Sequence, residues 1–554
     1  MKTQTWLAAE LTFTAAKAIG QLGEEEVDVR FVHEKTGKTI LMPAFWDGGT
    51  TWKVRFALPE AGMWRYTVQC AWEEFGLNGV SGTVECEPYT GELEIYKRGF
   101  VKTEPGKRYF VYDDGTPFFY LGDTHWAMLR EEIDEPGPHA GDLKVDSCFR
   151  AMADHRAAQR FTVYQSEPLG HKYNVFDGID ETDVADFRRV DRYFSYIAEK
   201  GFLHANAELI FPGEIGSIES PWFDETFLYR VTRYWVARYA AYPVLWTLGQ
   251  EVDRSYFNKC GITPENNPYR TMCRFIDRLD PYKHPITAHQ ENAMICGAKG
   301  GAVTESPWNW GEDAKKRESQ RSSFYGVKEH TWWGVQWRPD VDRQHSFEIP
   351  KDYWYNGEDK VAINYEGRYD YLYTKNYGGR ANGWISYLSG MYGYGYGAAD
   401  IWCYKSRYSF DSTSGDGVDT VLPEEKEMMW STALYMPTGD QMTYLRSFFE
   451  KLAWWRLVPE FDNEEYFRKT GEGYYTAAHD GNDVYAVYLY RKTTDPTGVL
   501  RKLDTKAAYT AQWFDPRTGE YTLIDDAITA PDGTFAIPEQ PIADDMVLLV
   551  TKNA

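Results

Sequence analysis

The chain has 554 residues, is 43% hydrophobic and carries a formal net charge of −23. This length exceeds what a single hydrophobic core supports, so several domains are expected. So acidic a chain, without a basic patch, argues against nucleic acid and against an anionic membrane as partners. The 7 cysteines are scattered and include no C-x-x-C pair, which favours a reducing compartment over a disulfide framework or a zinc site.

The N-terminal segment lacks the continuous apolar core of a secretion signal, and no segment reaches the roughly 20 apolar residues that span a bilayer. We therefore expect a cytoplasmic protein without a membrane partner, and leave open whether it forms a homo-oligomer. Aromatic residues make up 16% of the chain, with 21 Trp and 41 Tyr. Such a composition fits clefts that stack on sugar rings, or β-sandwich cores rich in aromatic side chains.

Residues 1–88 predict an N-terminal β-sandwich. The segments VDVRFVHE, TWKVRFALPE and MWRYTVQC alternate with the period of a strand and are separated by turns rich in Gly or Pro. Trp46, Trp52 and Trp64 could form a platform for sugars, but packing in the core or between domains is the favoured interpretation.

From about Phe110, strands alternate with amphipathic helices, which is typical of a parallel sheet with crossover helices. Helical patterns cover Val190–Lys200 and Thr226–Tyr239. Eight strands close a (β/α)8 TIM barrel. The candidate strands are Phe118–Gly122, Phe161–Gln165, His204–Ile210, Val244–Leu248, Ile286–His289, Gly334–Trp337, Val361–Tyr365 and Gly383–Leu388.

A helical bridge over Glu424–Tyr435 and Asp440–Leu457 follows the barrel, and strand alternation returns at Tyr474. We therefore predict an α/β protein with an N-terminal β-sandwich (1–88), a (β/α)8 barrel with its bridge (89–460) and a C-terminal β-sandwich (461–554). Without low-complexity linkers, the three domains are expected to pack together.

Two predicted strands end at carboxylates. The apolar run Val244–Leu248 is followed by Gly249, Gln250 and Glu251, and the run Val361–Tyr365 stops at Glu366. The C-terminal ends of barrel strands form the active-site face, and two carboxylates are the minimum equipment for cleaving a glycosidic bond. We assign Glu251 as acid/base and Glu366 as nucleophile.

Other strand ends supply candidate sugar-binding residues. Asp123, His125 and Trp126 follow the first strand, where a carboxylate can accept from sugar hydroxyls and an indole can stack on the ring; a salt bridge and a core Trp are the alternative. The remaining candidates for binding or stacking are Gln165, Glu208, His289, Trp337 and Tyr396.

Metal and cofactor sites are not predicted. His125, His171, His204 and His289 lack the spacing of metal ligands, and no Gly-x-Ser-x-Gly elbow is present. The run Gly393-x-Gly395-x-Gly397 lacks the Lys-Ser/Thr of a phosphate loop, so we interpret it as a backbone turn near the sugar.

Three barrel segments resemble the apiosidase-like glycoside hydrolases. The segment Asp114–Trp126 (DGTPFFYLGDTHW) resembles their first barrel strand, Gly390–Gly397 (GMYGYGYG) through Trp402 resembles their last strand and glycine-rich loop, and the third segment is the strand ending at Glu366. The segments FWDGGTTWKVRF, GMWRYTV and WFDPRTGEY resemble the flanking modules of the family. This resemblance implies a glycoside hydrolase with a carbohydrate substrate.

One segment departs from the family pattern. Many members end the fourth strand in Gly-Gly-Asp, whereas this chain ends it in Gly249-Gln250-Glu251, closer to the Asn-Glu of the large retaining (β/α)8 clan. Apiose specificity is therefore not carried over. The sequence favours a retaining glycoside hydrolase that cleaves a plant- or microbe-derived oligosaccharide or glycoside by double displacement. A catalytically silent carbohydrate-binding protein and a metal-dependent barrel hydrolase are the alternatives.

Overall fold

The computed structural model describes most of the chain. It leaves out residues 127, 131–132, 134–146, 167–177, 207–218, 251, 253–260, 264, 292–321, 371–377, 399–400, 402–429, 491–497 and 554, together with the side chains of residues 130, 291, 431 and 432.

The N-terminal module is a β-sandwich, as predicted. A five-stranded sheet in the order β1-β9-β8-β4-β5 faces a three-stranded sheet in the order β2-β7-β6. Trp46, Trp52 and Trp64 are fully buried, which fits packing in the core. The strands are β1 (Lys2–Gln4), β2 (Ala8–Thr14), β3 (Gln21–Leu22), β4 (Val27–His33), β5 (Thr39–Pro43), β6 (Phe45–Trp46), β7 (Thr51–Ala57), β8 (Gly62–Cys70) and β9 (Ser81–Glu87).

The central module is a closed parallel barrel. Its sheet order is β15-β14-β13-β11-β10-β19-β18-β17-β16, and β15 and β16 are two parts of one strand interrupted at Ala288, so eight strands complete the ring. This confirms the predicted (β/α)8 barrel. The strands are β10 (Tyr120–His125), β11 (Val163–Ser166), β12 (Ile179–Asp180, outside the ring and paired with β3), β13 (Leu203–Asn206), β14 (Val244–Thr247), β15 (Ile286–Thr287), β16 (His289–Glu291), β17 (Trp332–Gln336), β18 (Val361–Glu366) and β19 (Gly393–Tyr396).

The described helices include two that the sequence predicted, α3 and α4, and both begin at an aspartate cap. Asp180 accepts from the N–H groups of Thr182 and Asp183, and Asp224 accepts from those of Thr226 and Phe227. The α-helices are α1 (Glu94–Lys97), α2 (Cys148–Ala158), α3 (Glu181–Glu199), α4 (Glu225–Tyr239), α5 (Pro268–Leu279), α6 (Glu348–Asn356), α7 (Gly378–Leu388), α8 (Trp430–Ala433) and α9 (Pro437–Glu450). Short 3₁₀ helices cover Glu73–Phe75, Met128–Arg130, Pro221–Phe223 and Trp454–Arg456.

The predicted eighth strand, Gly383–Leu388, is wrong. These residues form the second half of α7, and the eighth strand is β19, in the segment that resembles the last strand of the apiosidase-like family. All of α7 is buried, because it lies between the barrel and the C-terminal sandwich. A short, mostly apolar run is found both in buried helices and in buried strands. The pattern of Gly383–Leu388 therefore predicted the wrong element.

The C-terminal module is also a β-sandwich, as predicted. A six-stranded sheet in the order β20-β22-β23-β28-β25-β26 faces a three-stranded sheet in the order β21-β24-β27. The domain boundaries remain a proposal: the first falls directly after β9, and the second falls at the end of β20. The strands are β20 (Val458–Glu460), β21 (Phe467–Lys469), β22 (Tyr474–Asp480), β23 (Val484–Tyr490), β24 (Gly498–Leu500), β25 (Ala508–Phe514), β26 (Tyr521–Thr529), β27 (Phe535–Ala536) and β28 (Met546–Lys552).

Ion pairs fasten both sandwiches to the barrel. Asp191 on α3 accepts from Arg55 of the N-terminal sandwich at 3.1 Å and from Arg238 on α4 at 2.7 Å. On the other side, Arg380 on α7 donates two hydrogen bonds of 2.8 and 2.7 Å to the fully buried Asp545. The sandwiches therefore dock through paired charges as well as apolar packing.

Candidate active site

A β-bulge aims Glu366 into the barrel. Along the pairing of β17 with β18, Val335 lies opposite Asn364 but Gln336 lies opposite Glu366, so Tyr365 is an extra residue. Because successive side chains of a strand point to opposite faces, the extra residue turns Glu366 toward the lumen instead of the surrounding helices. The predicted nucleophile thus lies at the C-terminal end of the seventh barrel strand, facing inward.

The two carboxyl oxygens of Glu366 have different surroundings. Oε1 accepts a hydrogen bond from Arg338 Nη2 at 2.8 Å and another from the Tyr369 hydroxyl at 3.0 Å. Oε2 lies 3.5 Å from His289 Nε2 and accepts no hydrogen bond within the described part of the chain. Glu366 is 4% exposed, so a guanidinium and a phenol stabilise its charge in place of water. Oε1 is therefore held by two hydrogen bonds, whereas Oε2 remains available to react.

Aromatic side chains line the space beside Glu366. The Trp126 ring stacks on His289 with centroids 6.0 Å apart and lies 5.5 Å from the Tyr365 ring. Trp126 Nε1 donates to the Tyr369 hydroxyl at 2.5 Å, and that hydroxyl donates in turn to Glu366. Burial and the neighbouring carboxylate raise the pKa of Tyr369 well above its ordinary value, so the phenol keeps its proton. Of the predicted site residues, Trp126, His289 and Glu366 come together here.

Gln165 crosses the lumen beneath this cluster. Its Nε2 donates to the carbonyl oxygen of Tyr365, the extra residue of the bulge, at 2.8 Å. Gly122 on β10 and Gly395 on β19 are register partners, and a Cβ on either would lie 2.1 or 2.5 Å from Gln165 Oε1. Two neighbouring strands therefore lack side chains at the level where Gln165 passes.

The glycine run is a strand and not the predicted backbone turn. Gly393 and Gly395 lie within β19, and Gly397 follows it. A Cβ at Gly393 would lie 2.3 Å from Ile363, and one at Gly397 would lie 2.3 Å from the Tyr369 ring. Alternation directs the glycines to the crowded lumen and the intervening tyrosines to the helices.

Asp123 and His125 lie on the outer face of the first strand. Asp123 Oδ2 accepts from Arg156 Nε and from His125 Nε2, both at 2.7 Å, and His125 Nδ1 is hydrogen-bonded to the Tyr164 hydroxyl at 2.7 Å. Burial alone would raise the pKa of Asp123, but the Arg156 guanidinium and His125 hold it below its ordinary value. The structure does not bring this pair into contact with Glu366, and the buried ion pair matches the alternative interpretation of Asp123.

Tyr396 and Trp337 also point away from Glu366. The Tyr396 hydroxyl donates to Asp370 Oδ2 at 3.2 Å. The Trp337 ring packs edge-on against His345 at 5.9 Å, and its backbone N–H donates to Asn364 at 3.2 Å. Both side chains help to join the barrel strands to the surrounding layer.

Two predicted site residues, Glu208 and Glu251, lie outside the described residues. The backbone on either side of position 251 is nevertheless placed: His289 N–H donates to the carbonyl of Gly249, and Val252 N–H donates to the carbonyl of His289, both at 3.0 Å. The fourth strand therefore ends beside the residue whose side chain faces Glu366.

Arg338 and Tyr369 were missed by the sequence analysis. Arg338 follows Trp337 directly beyond the sixth strand, and Tyr369 comes three residues after Glu366. A basic residue beyond a barrel strand end is the signal that points to Arg338. Tyr369 offers no such signal, because its position depends on the backbone path after the seventh strand.

Within the described ranges, no cluster of three or more His, Cys, Asp or Glu side chains has the geometry to hold a metal ion. Among the described helices, none combines the length and the apolar character that crossing a bilayer requires.

Comparison with known proteins identifies the barrel. The family described as apiosidase-like, catalytic domain, matches residues 104–456. The chain belongs to the apiosidase-like family. The barrel is thus a glycoside hydrolase domain, as the resemblance implied. On its two sides, a family described as a domain of unknown function, DUF5060, matches residues 2–71, and a family described as the collagen-binding domain of a collagenase matches residues 467–551.

Solved structures show the same fold around the apiosidase-like barrel. A protein assigned as a glycoside hydrolase from Bacteroides vulgatus covers 100% of both chains with a TM-score of 0.69 at 17% identity. A family 5 glycoside hydrolase from the same organism covers 82% of this chain and 94% of its own, with a TM-score of 0.55 at 16% identity. No curated protein matches the chain.

Proposed function

We propose that the protein is a retaining glycoside hydrolase acting on a plant- or microbe-derived oligosaccharide or glycoside, with Glu366 as nucleophile and Glu251 as acid/base. The observation that carries the proposal is the asymmetry of Glu366. Arg338 and Tyr369 donate to Oε1, while Oε2 accepts no hydrogen bond from the described residues. A nucleophilic carboxylate needs this arrangement: a stabilised charge and one oxygen free to attack the anomeric carbon.

The acid/base assignment rests on the strand to which Glu251 belongs. Its neighbours Gly249 and Val252 are bonded to the backbone of His289, and the His289 imidazole lies 3.5 Å from Glu366 Oε2. The fourth and seventh strands are parallel, so their C-terminal ends share one face of the barrel. We infer that the carboxyl groups of Glu251 and Glu366 face each other there.

In the first step of the reaction, Glu366 attacks the anomeric carbon while Glu251 protonates the departing oxygen. In the second step, Glu251 removes a proton from water, which displaces Glu366 and releases the sugar with retained configuration. We propose Trp126 as the stacking surface and His289 as a hydroxyl partner, because both lie in the cluster around Glu366. For Asp123, His125, Gln165, Trp337 and Tyr396 we propose supporting roles in the barrel wall.

A crystal structure with a trapped 2-deoxy-2-fluoroglycosyl group tests the proposal. We expect the sugar to be bonded to Glu366 and the two carboxyl groups to lie about 5–5.5 Å apart. A separation near 9 Å would indicate an inverting mechanism, and attachment to another residue would refute the assignment of Glu366.

A further inference from the structure

We propose a second carbohydrate-binding site, a cleft between the N-terminal sandwich and α4 that holds one or two units of a neutral oligosaccharide. The proposal rests on the proposed function, because it assigns the enzyme an extended substrate. The cleft encloses about 300 Å³ and is formed on one side by residues 22–26 with Trp52 and on the other by residues 226–234 of α4. That volume lies at the lower end of the roughly 300–1,000 Å³ range of small-molecule sites.

Hydrogen bonds connect the two walls of the cleft, so the cleft is not a gap between loosely packed domains. Arg233 on α4 donates to the carbonyl of Val27 at 3.0 Å and to Asp28 at 2.7 Å, and the Tyr234 hydroxyl donates to the carbonyl of Trp46 at 2.8 Å. These bonds join the two walls directly, so the space between them is fixed in width.

The lining combines the groups that bind sugars. Glu24 offers an exposed carboxylate to sugar hydroxyl groups, whereas Glu26 is paired with Arg233 at 3.8 Å; Arg230 and Tyr229 complete the lining. Trp52 forms part of the floor of the cleft, where its side chain is 1% exposed. The acids here do not converge as metal ligands, since no described cluster of acids, Cys or His has metal-binding geometry.

The cleft opens on the same end of the molecule as the active site. Barrel helices run antiparallel to the strands, so the first turns of α4 lie at the C-terminal strand ends, where Glu366 lies. Leu22, also in the lining, pairs with Ile179 just before α3 begins, at the same end. A chain bound in the cleft thus lies on the outer rim of the catalytic face.

Thr226→Trp tests the proposal by filling the mouth of the cleft. Thr226 is exposed and is the second residue of α4. Thr182 is an exposed threonine at the second position of α3, is capped in the same way and does not line the cleft, so Thr182→Trp is a matched control. The assay is electrophoresis of the full chain through gels containing arabinoxylan, galactomannan or xyloglucan, with a polymer-free gel as reference.

We expect at least one polymer to retard the wild type, and Thr226→Trp to raise the apparent dissociation constant about tenfold while Thr182→Trp leaves it unchanged. Glu24→Gln, which adds no bulk, should also weaken retardation. Equal retardation of Thr226→Trp and wild type, or passage of the wild type through every gel without retardation, would overturn the proposal. Hydrolysis of aryl glycosides, too short to reach the cleft, is measured separately: it should be equal in all variants, and its absence in the wild type would count against the proposed function instead.

Discussion

Gln165 on the second barrel strand holds the backbone of Tyr365 on the seventh: its side-chain N–H donates to the Tyr365 carbonyl across 2.8 Å. Tyr365 is the extra residue of the bulge that turns Glu366 inward. Gln165 is therefore a positioning residue for the nucleophile, although it does not touch Glu366 in any described contact.

Replacing the side-chain donor of Gln165 should lower kcat strongly while changing the free energy of unfolding only modestly. We expect Gln165→Met, which keeps the length but removes the N–H, to cost about 1 kcal/mol of stability and to lower kcat by roughly 10- to 100-fold, because small displacements of catalytic groups are costly. Gln344 provides the control, since its Nε2 donates at 3.0 Å to the carbonyl of Tyr475, which belongs to the C-terminal sandwich. Gln344→Met should lose similar stability and keep its kcat. Equal kcat in the two variants would exclude the positioning role.

Arg338 should be needed for its charge. A hydrogen bond to a charged group contributes about 2 to 3 kcal/mol, so Arg338→Met should lower kcat/KM by roughly 30- to 160-fold. Arg338→Lys keeps a cation and should recover part of the loss. The control Arg343→Met removes a 65% exposed side chain paired with Asp340 on the same loop and should act as wild type. The measurement is hydrolysis of an aryl glycoside, and full activity of Arg338→Met would contradict the role assigned to it.

Azide should distinguish the two catalytic acids. Glu366→Gln removes the attacking anion, so no glycosyl-enzyme can form and turnover should vanish whatever the leaving group. Glu251→Ala should still complete the first step with an acidic phenol as leaving group and then stall without its general base. Azide needs no base and should rescue that variant, giving a glycosyl azide of retained configuration. Rescue of Glu366→Ala to an inverted azide is the expected counterpart, and the opposite pattern would exchange the two roles.

Asp191 should make docking of the N-terminal sandwich sensitive to acid. Burial alone would raise its pKa, but Arg55 and Arg238 lower it to about 2. Because this value lies below the roughly 3.9 of an unfolded chain, the carboxylate contributes on the order of 2 kcal/mol above about pH 4, and that contribution is lost as the pH falls toward 2. Calorimetry should therefore show a gap in Tm between wild type and Asp191→Asn that is largest above pH 5 and narrows below pH 4.

An acid on the same helix layer serves as the control for Asp191. Asp154 is 49% exposed and pairs with Lys200, so Asp154→Asn should change Tm little at any pH. A gap between wild type and Asp191→Asn that stays constant from pH 6 to pH 3 would show that the ion pairs are not the cause.

The sequence predicted the architecture well because strand alternation and buried parallel strands leave clear patterns. Seven of the eight predicted barrel strands overlap observed ones, with ends shifted by a few residues. The eighth was wrong because α7 is buried on all sides and its second half is mostly apolar, while β19 has glycine instead of an apolar side chain wherever the lumen is crowded.

The site was harder to predict, because a residue at the end of a predicted strand can point either to the lumen or to the surrounding helices. Asp123 lies within the first strand and Trp126 directly follows it, yet the first points toward the helices and the second toward the lumen. The bulge at Tyr365 reverses the alternation just before Glu366, and it is set by pairing with a strand distant in sequence. Arg338 and Tyr369 belong to the site through this folded geometry.

The charged joints on the two sides of the barrel also limit how the enzyme can move. Rotating either sandwich away from the barrel would separate Arg55 from Asp191 or Asp545 from Arg380, breaking buried ion pairs at a cost of several kcal/mol. Neither sandwich is therefore suited to act as a hinged arm during turnover. Any closure around a substrate must therefore occur within the barrel, and the two sandwiches stabilise the shape of the barrel rim.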